Sequence, residues 1–561
     1  MKNCKPSRPL LPILFFFLLF FAASLHSLSF FDDGTPEELA AAIEQAMTDE
    51  QALAQVFMFG WVGAEPSPLI MDWIRSRNIG GIKIFGWNTD NTTLLARTVG
   101  SLQEASLKGA FNIPLLVATD QEGGWIRHVK GSTSETPGNM AIGATGYPRD
   151  AYLAGYYIGK ELALLGINMN FAPAVDLFTN RDSELIGPRA FGSNPVNVGI
   201  LGAAFMKGQQ ATGVIPTAKH YPGHGDTDLD SHGVLPIIDV SFETLWNREM
   251  VPYRMLFAEG LPAVMSGHLA FPRIKTSAGA QSANAPASLS SWFLNDLLRG
   301  MMGYNGVVIT DDLMMNGATL WAGSLSQTAK QALIAGNDII LFSKTPNLFD
   351  PVWTLLINSM RAEPEFRLRV RDAARRTLTM KLRYLRGSQA VPYIPDLHKV
   401  QNELTDPEGS TFFLNLAARS VTIVKPKQGE EPAVFPLKPE NAGRVLLAGQ
   451  YLDFFRVGRA AFPNAISYWY SDQNTELLTY ARRCDTIIYC LSDYAGVRTL
   501  RQLETLKKRV IVLSVLSPVY LESVPWVDGA VAVYSYAPES LAAGFSAIIG
   551  RIGAGGKLPY D

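Results

Sequence analysis

Val214-Ile215-Pro216-Thr217-Ala218 runs directly into Lys219-His220-Tyr221-Pro222-Gly223-His224-Gly225-Asp226-Thr227-Asp228-Leu229-Asp230-Ser231-His232. The first five residues are a short apolar run of the kind that fills a parallel strand buried on both faces. The fourteen that follow hold three of the chain's seven histidines and three aspartates, punctuated by Gly and Pro. Such a segment reads as a loop that carries chemistry rather than as a packing element. Charge is expected to begin where the strand ends, and in parallel α/β folds that end is where ligands bind.

The same grammar recurs outward from this point. Gln55 to Phe59, Ile82 to Phe85, Leu115 to Ala118, Met169 to Ala172, Val214 to Ala218, Ala263 to Met265, Val307 to Ile309 and Ile339 to Phe342 are eight apolar runs at helix-length intervals. Strands alternating with helices predict βαβ units and a parallel sheet. Eight of them over roughly 310 residues fit a (β/α)8 TIM-type barrel with insertions. An open doubly wound sheet is the alternative. Polar groups punctuate the run ends: Asp120-Gln121-Glu122, Asp176, Lys219-His220, His268 and Asp311-Asp312. A lone Asp after a strand often caps the next helix, but several such ends converge only at the C-terminal mouth of a barrel.

With 561 residues the chain exceeds one ordinary core. The barrel is expected over 34–386 and a linker over 387–414. A smaller doubly wound α/β sandwich domain is expected over 415–561, from runs at Ala417 to Val424, Arg444 to Ala448, Thr486 to Tyr489, Val510 to Leu513 and Ala530 to Val533. Thr35-Pro36-Glu37-Glu38 has the composition of a helix start. Arg367, Arg369, Arg371, Arg375 and Arg376 read as a solvated helix face. A net charge of −2 gives no reason to expect nucleic acid or an anionic membrane as partner. The three cysteines do not make a disulfide scaffold: Cys4 lies in the leader, and Cys484 and Cys490 are placed on one strand, too far apart to bridge. Residues 1–29 have the layout of a signal peptide. Lys2, Lys5 and Arg8 precede an apolar stretch from Leu10 to Ala23 and then small residues, so export to a periplasmic or extracellular space is expected, with an uncleaved anchor the only membrane contact.

The stretch KHYPGHGDTDLDSH resembles the KHFPGHG…DSH signature of glycoside hydrolase family 3, in its β-N-acetylglucosaminidase branch, with Tyr221 where Phe is commoner. Ile309-Thr310-Asp311-Asp312-Leu313-Met314-Met315 is similar to that family's (S)DDL.M segment, Asp120-Gln121-Glu122-Gly123-Gly124 to its sugar-gripping motif, and Arg189-Ala190-Phe191-Gly192 to its R-x-F-G segment. The ending Gly556-Lys557-Leu558-Pro559 is similar to that of two-domain members, and Gly553 to Lys557 lacks the Ser/Thr and the helix of a phosphate loop.

The resemblance implies a retaining enzyme that removes terminal β-linked N-acetylglucosamine from peptidoglycan-derived or related glycans, without cofactor or metal, and a monomer is expected. It implies Asp311 as the nucleophile. An imidazole can give and take a proton near neutral pH, and the resemblance makes His232, oriented by Asp230, the acid/base. Asp120, Arg189, Lys219 and His220 are implied to hold sugar hydroxyls, with Arg127 close to an arginine usual in the family. His224 and His268 are expected to order the surroundings. Three alternatives stand beside this. One is a family 3 β-glucosidase or a phosphorolytic variant. Another is a metal-dependent barrel hydrolase using His224, Asp226 and His232. The third is a glycan-binding envelope protein without catalysis.

Overall fold

A computed structural model describes residues 28–229, 231, 233–274, 284–425, 434–471 and 476–561. Residues 1–27 of the expected leader, Asp230 and His232 therefore lie outside the described residues. Eight parallel strands close into a barrel: β1 (Phe57–Gly60), β2 (Gly81–Ile84), β3 (Leu116–Thr119), β4 (Met169–Asn170), β5 (Ile215–Tyr221), β6 (Ala263–Ser266), β7 (Val307–Asp312) and β8 (Ile339–Phe342). β1 pairs with β2 in the register Phe59↔Ile82 and with β8 in the register Phe59↔Phe342. No sheet edge remains in that ring, which removes the open-sheet alternative. The strand interiors are buried apolar residues, as two-sided burial requires.

Two strands are longer than their apolar runs. β5 continues through Lys219, His220 and Tyr221, and β7 ends on Asp311 and Asp312. The charged residues expected in loops just past these strands instead sit on them. Pairing of β5 with β6 shifts register between Ala218 and Tyr221, and pairing of β7 with β8 shifts between Ile309 and Asp312. Such irregularities re-aim side chains, so neighbours in sequence can both face the barrel mouth.

Helix Pro36–Ala46 begins at Thr35, whose hydroxyl accepts from Glu38 N–H while Glu38 reaches back to the cap, as the composition predicts. The arginine-rich helix Pro364–Tyr384 is less solvated than expected. Arg371 reaches Glu44 and Asp49, and Arg369 pairs with fully buried Asp338. These guanidinium groups tie the barrel floor to the first helices rather than facing water.

The stretch expected as linker contains helix Leu397–Glu403 and the start of helix Pro407–Ser420. The latter takes the first part of the run assigned to a strand at Ala417. Six strands follow: β9 (Thr422–Lys425), β10 (Val445–Gly449), β11 (Ile466–Trp469), β12 (Thr486–Leu491), β13 (Arg509–Ser514) and β14 (Gly529–Ala532). Their order is β9-β14-β13-β12-β10-β11, parallel except for β9. β11 was not legible because only Tyr468 of its four residues is buried. Cys484 precedes β12 rather than sharing it with Cys490, and both are free, buried thiols.

Alternate residues of this sheet face opposite cores. Val445, Leu447 and Ile488 face one, and Leu446, Ile487 and Tyr489 face the other. The second core also takes Met140, Phe178, Ile186 and Ala190 from the barrel's loops. Phe178 meets Tyr560 edge-on at 5.2 Å, Tyr494 Oη donates to Asp182, and Ser193 N–H donates to the Pro559 carbonyl. The loop after β4 is thereby pressed between barrel and sheet. No described helix is long and apolar enough to cross a membrane.

Candidate active site

A cavity of about 170 Å³ opens at the C-terminal mouth of the barrel. Its charged lining comes from successive strands: Lys83 on β2, Asp120 and Glu122 after β3, Arg189 on the loop after β4, Lys219 and His220 on β5, and Asp311 and Asp312 on β7. Leu185, Met265, Met315 and Leu341 supply apolar wall.

Ion pairs fix most of these groups. Lys219 Nζ lies 2.5 Å from Asp120 Oδ1 and 2.6 Å from Glu122 Oε1, and Lys83 Nζ donates to Asp120 Oδ2. Arg189 forks onto Glu122, with Nε to Oε2 at 2.9 Å and Nη2 to Oε1 at 2.7 Å. His220 bridges two sides, its Nδ1 2.7 Å from Asp176 Oδ2 and its Nε2 3.2 Å from Arg189 Nη2. Asp176 Oδ1 also accepts the backbone N–H groups of His220 at 3.1 Å and His224 at 2.7 Å. Buried charges persist only when paired in this way.

The electrostatics follow from those pairings. Burial opposes ionisation of Asp120, but Lys219 and Lys83 outweigh it and hold the carboxyl well below its usual range. Burial lowers Lys83, with Asp120 pulling the other way, whereas for Lys219 the pull of Asp120 and Glu122 exceeds burial and raises it. Asp311 is also held down: burial works against the charge, and His220, His268 and the Asp312 N–H more than offset it.

Asp311 differs from its neighbours in what holds it. Its Oδ1 accepts the Asp312 N–H at 2.8 Å, and among the described residues no cation lies in ion-pair contact with it. Asp312 Oδ1 accepts two backbone donors, Met314 N–H and Ser343 N–H, each at 3.0 Å. His268 is buried against this strand end, Nδ1 2.7 Å from Ser288 Oγ and Nε2 3.1 Å from the Asp312 carbonyl oxygen. Its ordering role agrees with the sequence expectation.

Asp120, Arg189, Lys219, His220 and Asp311 thus meet in one cavity. Arg127 does not join them. It donates to Thr133 Oγ1, the Thr133 carbonyl and Glu135, while Ile126 and His128 on either side line the cavity. Arg127 lies on a short antiparallel hairpin, where successive side chains take opposite faces. His128 stands 3.5 Å from Asp120 Oδ2, and burial lowers its imidazole to about 4. Sequence reasoning assigned no role to Lys83, Glu122 or His128. The signal for Lys83 was a lone cation inside the apolar run Ile82 to Phe85.

Asp230 and His232 fall outside the described residues, but the chain around them is placed. Asp226 accepts from Thr179 Oγ1 and Arg248 Nη2, each at 3.0 Å, and Ser231 lines the cavity while its carbonyl accepts Gly317 N–H at 3.2 Å. Of the alternative metal ligands, Asp226 is committed to these partners and His232 is outside the described residues. Among the described residues no cluster of three or more His, Cys, Asp or Glu could hold a metal ion.

A family model described as the glycosyl hydrolase family 3 N-terminal domain matches residues 48–379, the whole span of the barrel strands. Beta-hexosaminidase A of Pseudoalteromonas piscicida is 37% identical over 285 residues, covering 49% of this chain and 47% of that protein, so the match spans about half of that relative's length. A beta-N-acetylglucosaminidase/beta-glucosidase of Cellulomonas fimi is 31% identical over 406 residues, 72% of this chain and 68% of that protein. The solved structure of a family 3 beta-N-acetylglucosaminidase from Paenibacillus sp. str. FPU-7 superposes with a TM-score of 0.82 at 29% identity, covering 92% of this chain and 99% of that one. With the matched model spanning all eight barrel strands and their charged mouth, the chain belongs to glycosyl hydrolase family 3.

Proposed function

We propose that this protein is an exported, retaining β-N-acetylglucosaminidase acting on terminal β-linked N-acetylglucosamine of peptidoglycan-derived or related glycans. Asp120, Lys219, Lys83, Arg189 and His220 hold the sugar's hydroxyls through donors and acceptors already fixed by one another, so little ordering is left for the substrate to impose. Asp311 attacks the anomeric carbon and forms a glycosyl-enzyme as the leaving oxygen departs. His232, oriented by Asp230, protonates that oxygen and then takes a proton from the water that releases the sugar. No metal or cofactor enters either step.

The observation that carries this reading is the inequality among the cavity's carboxylates. Asp120 and Glu122 are each ion-paired to cations, and Asp312 is bound by two backbone N–H groups. Asp311 is ionised, faces the cavity and accepts one N–H, which leaves an oxygen for covalent chemistry. The N-acetyl preference is supported by the names of the relatives, and the acid/base by the DSH sequence next to cavity-lining Ser231.

Three measurements test it. Paired aryl N-acetylglucosaminide and glucoside substrates should be cleaved with preference for the first, and the reverse preference would overturn the specificity. After exposure to a slow 2-fluoro glycoside, mass spectrometry should find the sugar on the peptide holding Asp311, at Asp311. Label on Asp312 or on another peptide would reassign the nucleophile. Added phosphate should leave the sugar product unphosphorylated, and a sugar 1-phosphate would identify a phosphorolytic enzyme instead.

A further inference from the structure

His128 lines the cavity, and none of the roles above uses it. Its backbone is fixed independently of its ring, the N–H donating to the Asp120 carbonyl at 3.0 Å and the carbonyl accepting from Thr89 Oγ1 at 2.7 Å. The ring packs on Phe85, with centroids 5.7 Å apart. Nδ1 is 3.4 Å from Lys83 Nζ and 3.5 Å from Asp120 Oδ2, whereas Nε2 has no hydrogen-bond partner among the described residues and, unlike the nitrogens of His224, keeps accessible surface. Among the ion-paired groups of the cavity Asp120 keeps the most exposure, 16%, and the His128 side chain beside it keeps 30%. These two groups therefore present polar atoms to the cavity side by side.

The chemistry that fits the pair follows from charge. Burial, reinforced by Lys83, lowers the imidazole to about 4 against the pull of Asp120, so the ring is neutral at pH 7. The Lys83 ammonium takes the lone pair of Nδ1, which places the ring proton on Nε2. The cavity thus meets an N–H donor next to a carboxylate acceptor, and a sugar hydroxyl satisfies both by accepting through its oxygen while donating its proton. Position selects the hydroxyl. Asp120 directly follows β3, which stands four strands from β7 in either direction around the closed ring, so the pair lies across the mouth from Asp311. In a six-membered sugar ring the carbon opposite C1 is C4. An equatorial hydroxyl there prolongs the line from C1, and the axial hydroxyl of the C4 epimer turns out of it.

We propose that His128 is a specificity-determining residue that, together with Asp120, hydrogen-bonds the C4 hydroxyl of the terminal sugar and selects the gluco over the galacto configuration. This rests on the glycosidase reading above. The experiment measures kcat/KM of the full chain, His128→Ala and His128→Gln on 4-nitrophenyl N-acetyl-β-glucosaminide, on its 4-deoxy analogue and on the matching N-acetyl-β-galactosaminide. On the parent sugar His128→Ala should lose about 10- to 100-fold, while on the 4-deoxy and galacto sugars, which the wild type should already cleave poorly, it should change little. His128→Gln, whose amide N–H can donate to the same hydroxyl, should recover part of the loss on the parent alone. Losses of equal size on all three substrates, or on none, would show that the ring only supports the hairpin and would overturn the assignment. A wild type that prefers glucosides removes the N-acetyl specificity alone, and the same comparison on the glucoside, its 4-deoxy analogue and the galactoside then decides the role of His128. A wild type idle on both parent sugars removes the glycosidase reading and this one together.

Discussion

Asp311 and Asp338 lie near opposite ends of neighbouring strands, and the protein treats them in opposite ways. Asp338, at the start of β8 on the barrel floor, is fully buried and saturated: Arg299 at 2.7 Å, Arg369 at 2.8 Å and the Val308 N–H at 2.9 Å. Asp311, at the end of β7 on the mouth, accepts one N–H and has no cation in contact among the described residues. Both are carboxylates on one barrel, so the difference is one of assignment. The floor closes its charges with its own groups, and the mouth keeps an oxygen in reserve. Sites that act on substrate carry such unspent capacity at the expense of stability.

That contrast is easiest to break at Asp311. Asp311→Ala should lower kcat by about 10⁴-fold or more, as removal of a covalent nucleophile does. Its thermal midpoint should fall by less than that of Asp338→Ala, because Asp311 has one N–H and no ion pair to lose among the described residues. A large drop in melting temperature would mean that Asp311 is structural like Asp338.

His232 should show the next largest effect, dependent on the leaving group. His232→Ala should slow cleavage of a disaccharide by about 10²- to 10⁴-fold while sparing glycosylation by a dinitrophenyl glycoside, which needs no proton. Azide should rescue the deglycosylation step with the aryl substrate. Equal losses in glycosylation for both substrates, without rescue, would send the search for the acid elsewhere.

On the floor the readout is stability. Asp338→Ala leaves Arg299 and Arg369 without their shared partner, and loss of one member of a buried pair destabilises by about 3–5 kcal/mol. Urea denaturation should show this as a lower midpoint, and a midpoint unchanged from wild type would erase the contrast drawn above.

Lys381 supplies the smallest effect and a pH signature. Its Nζ is buried with Gln55 Oε1 at 2.9 Å, and burial lowers it to about 7 from an ordinary value of 10.5. Between those two values the unfolded chain binds the extra proton, so this residue makes stability rise with pH from about 7 towards 10.5. Lys381→Met should change stability at pH 7 by about 1 kcal/mol and flatten the rise. Wild-type and variant curves that stay parallel across that window would show that Lys381 does not titrate there.

The barrel was legible because two-sided burial writes each strand as an apolar run, and the β5 and β7 motifs marked the mouth directly. Less legible was anything created by closure. Glu122 acquires meaning only when Arg189 and Lys219 reach it from β4's loop and β5, and no local pattern encodes that meeting. Arg127 had a plausible sequence position, but side-chain alternation on its hairpin turns it to Thr133 and Glu135. The linker hid helices because Pro and Asp, read there as punctuation, serve as helix starts at Pro407 with its Asp406 cap.

The seam between the barrel and the second sheet carries a consequence for anyone who would treat the barrel as a portable cassette. The strand ring is complete by Phe342, yet the loop that delivers Arg189 is held by Tyr494, Pro559 and Tyr560, supplied by the far end of the chain. Cutting at Gly387 would strip Met140, Phe178 and Ile186 of their cover and release the segment that aims a guanidinium at Glu122. In this chain the pocket is accordingly built by both domains, and grafts or chimaeras that exchange one without the other would need to re-match the surface of that seam before any pocket residue is touched.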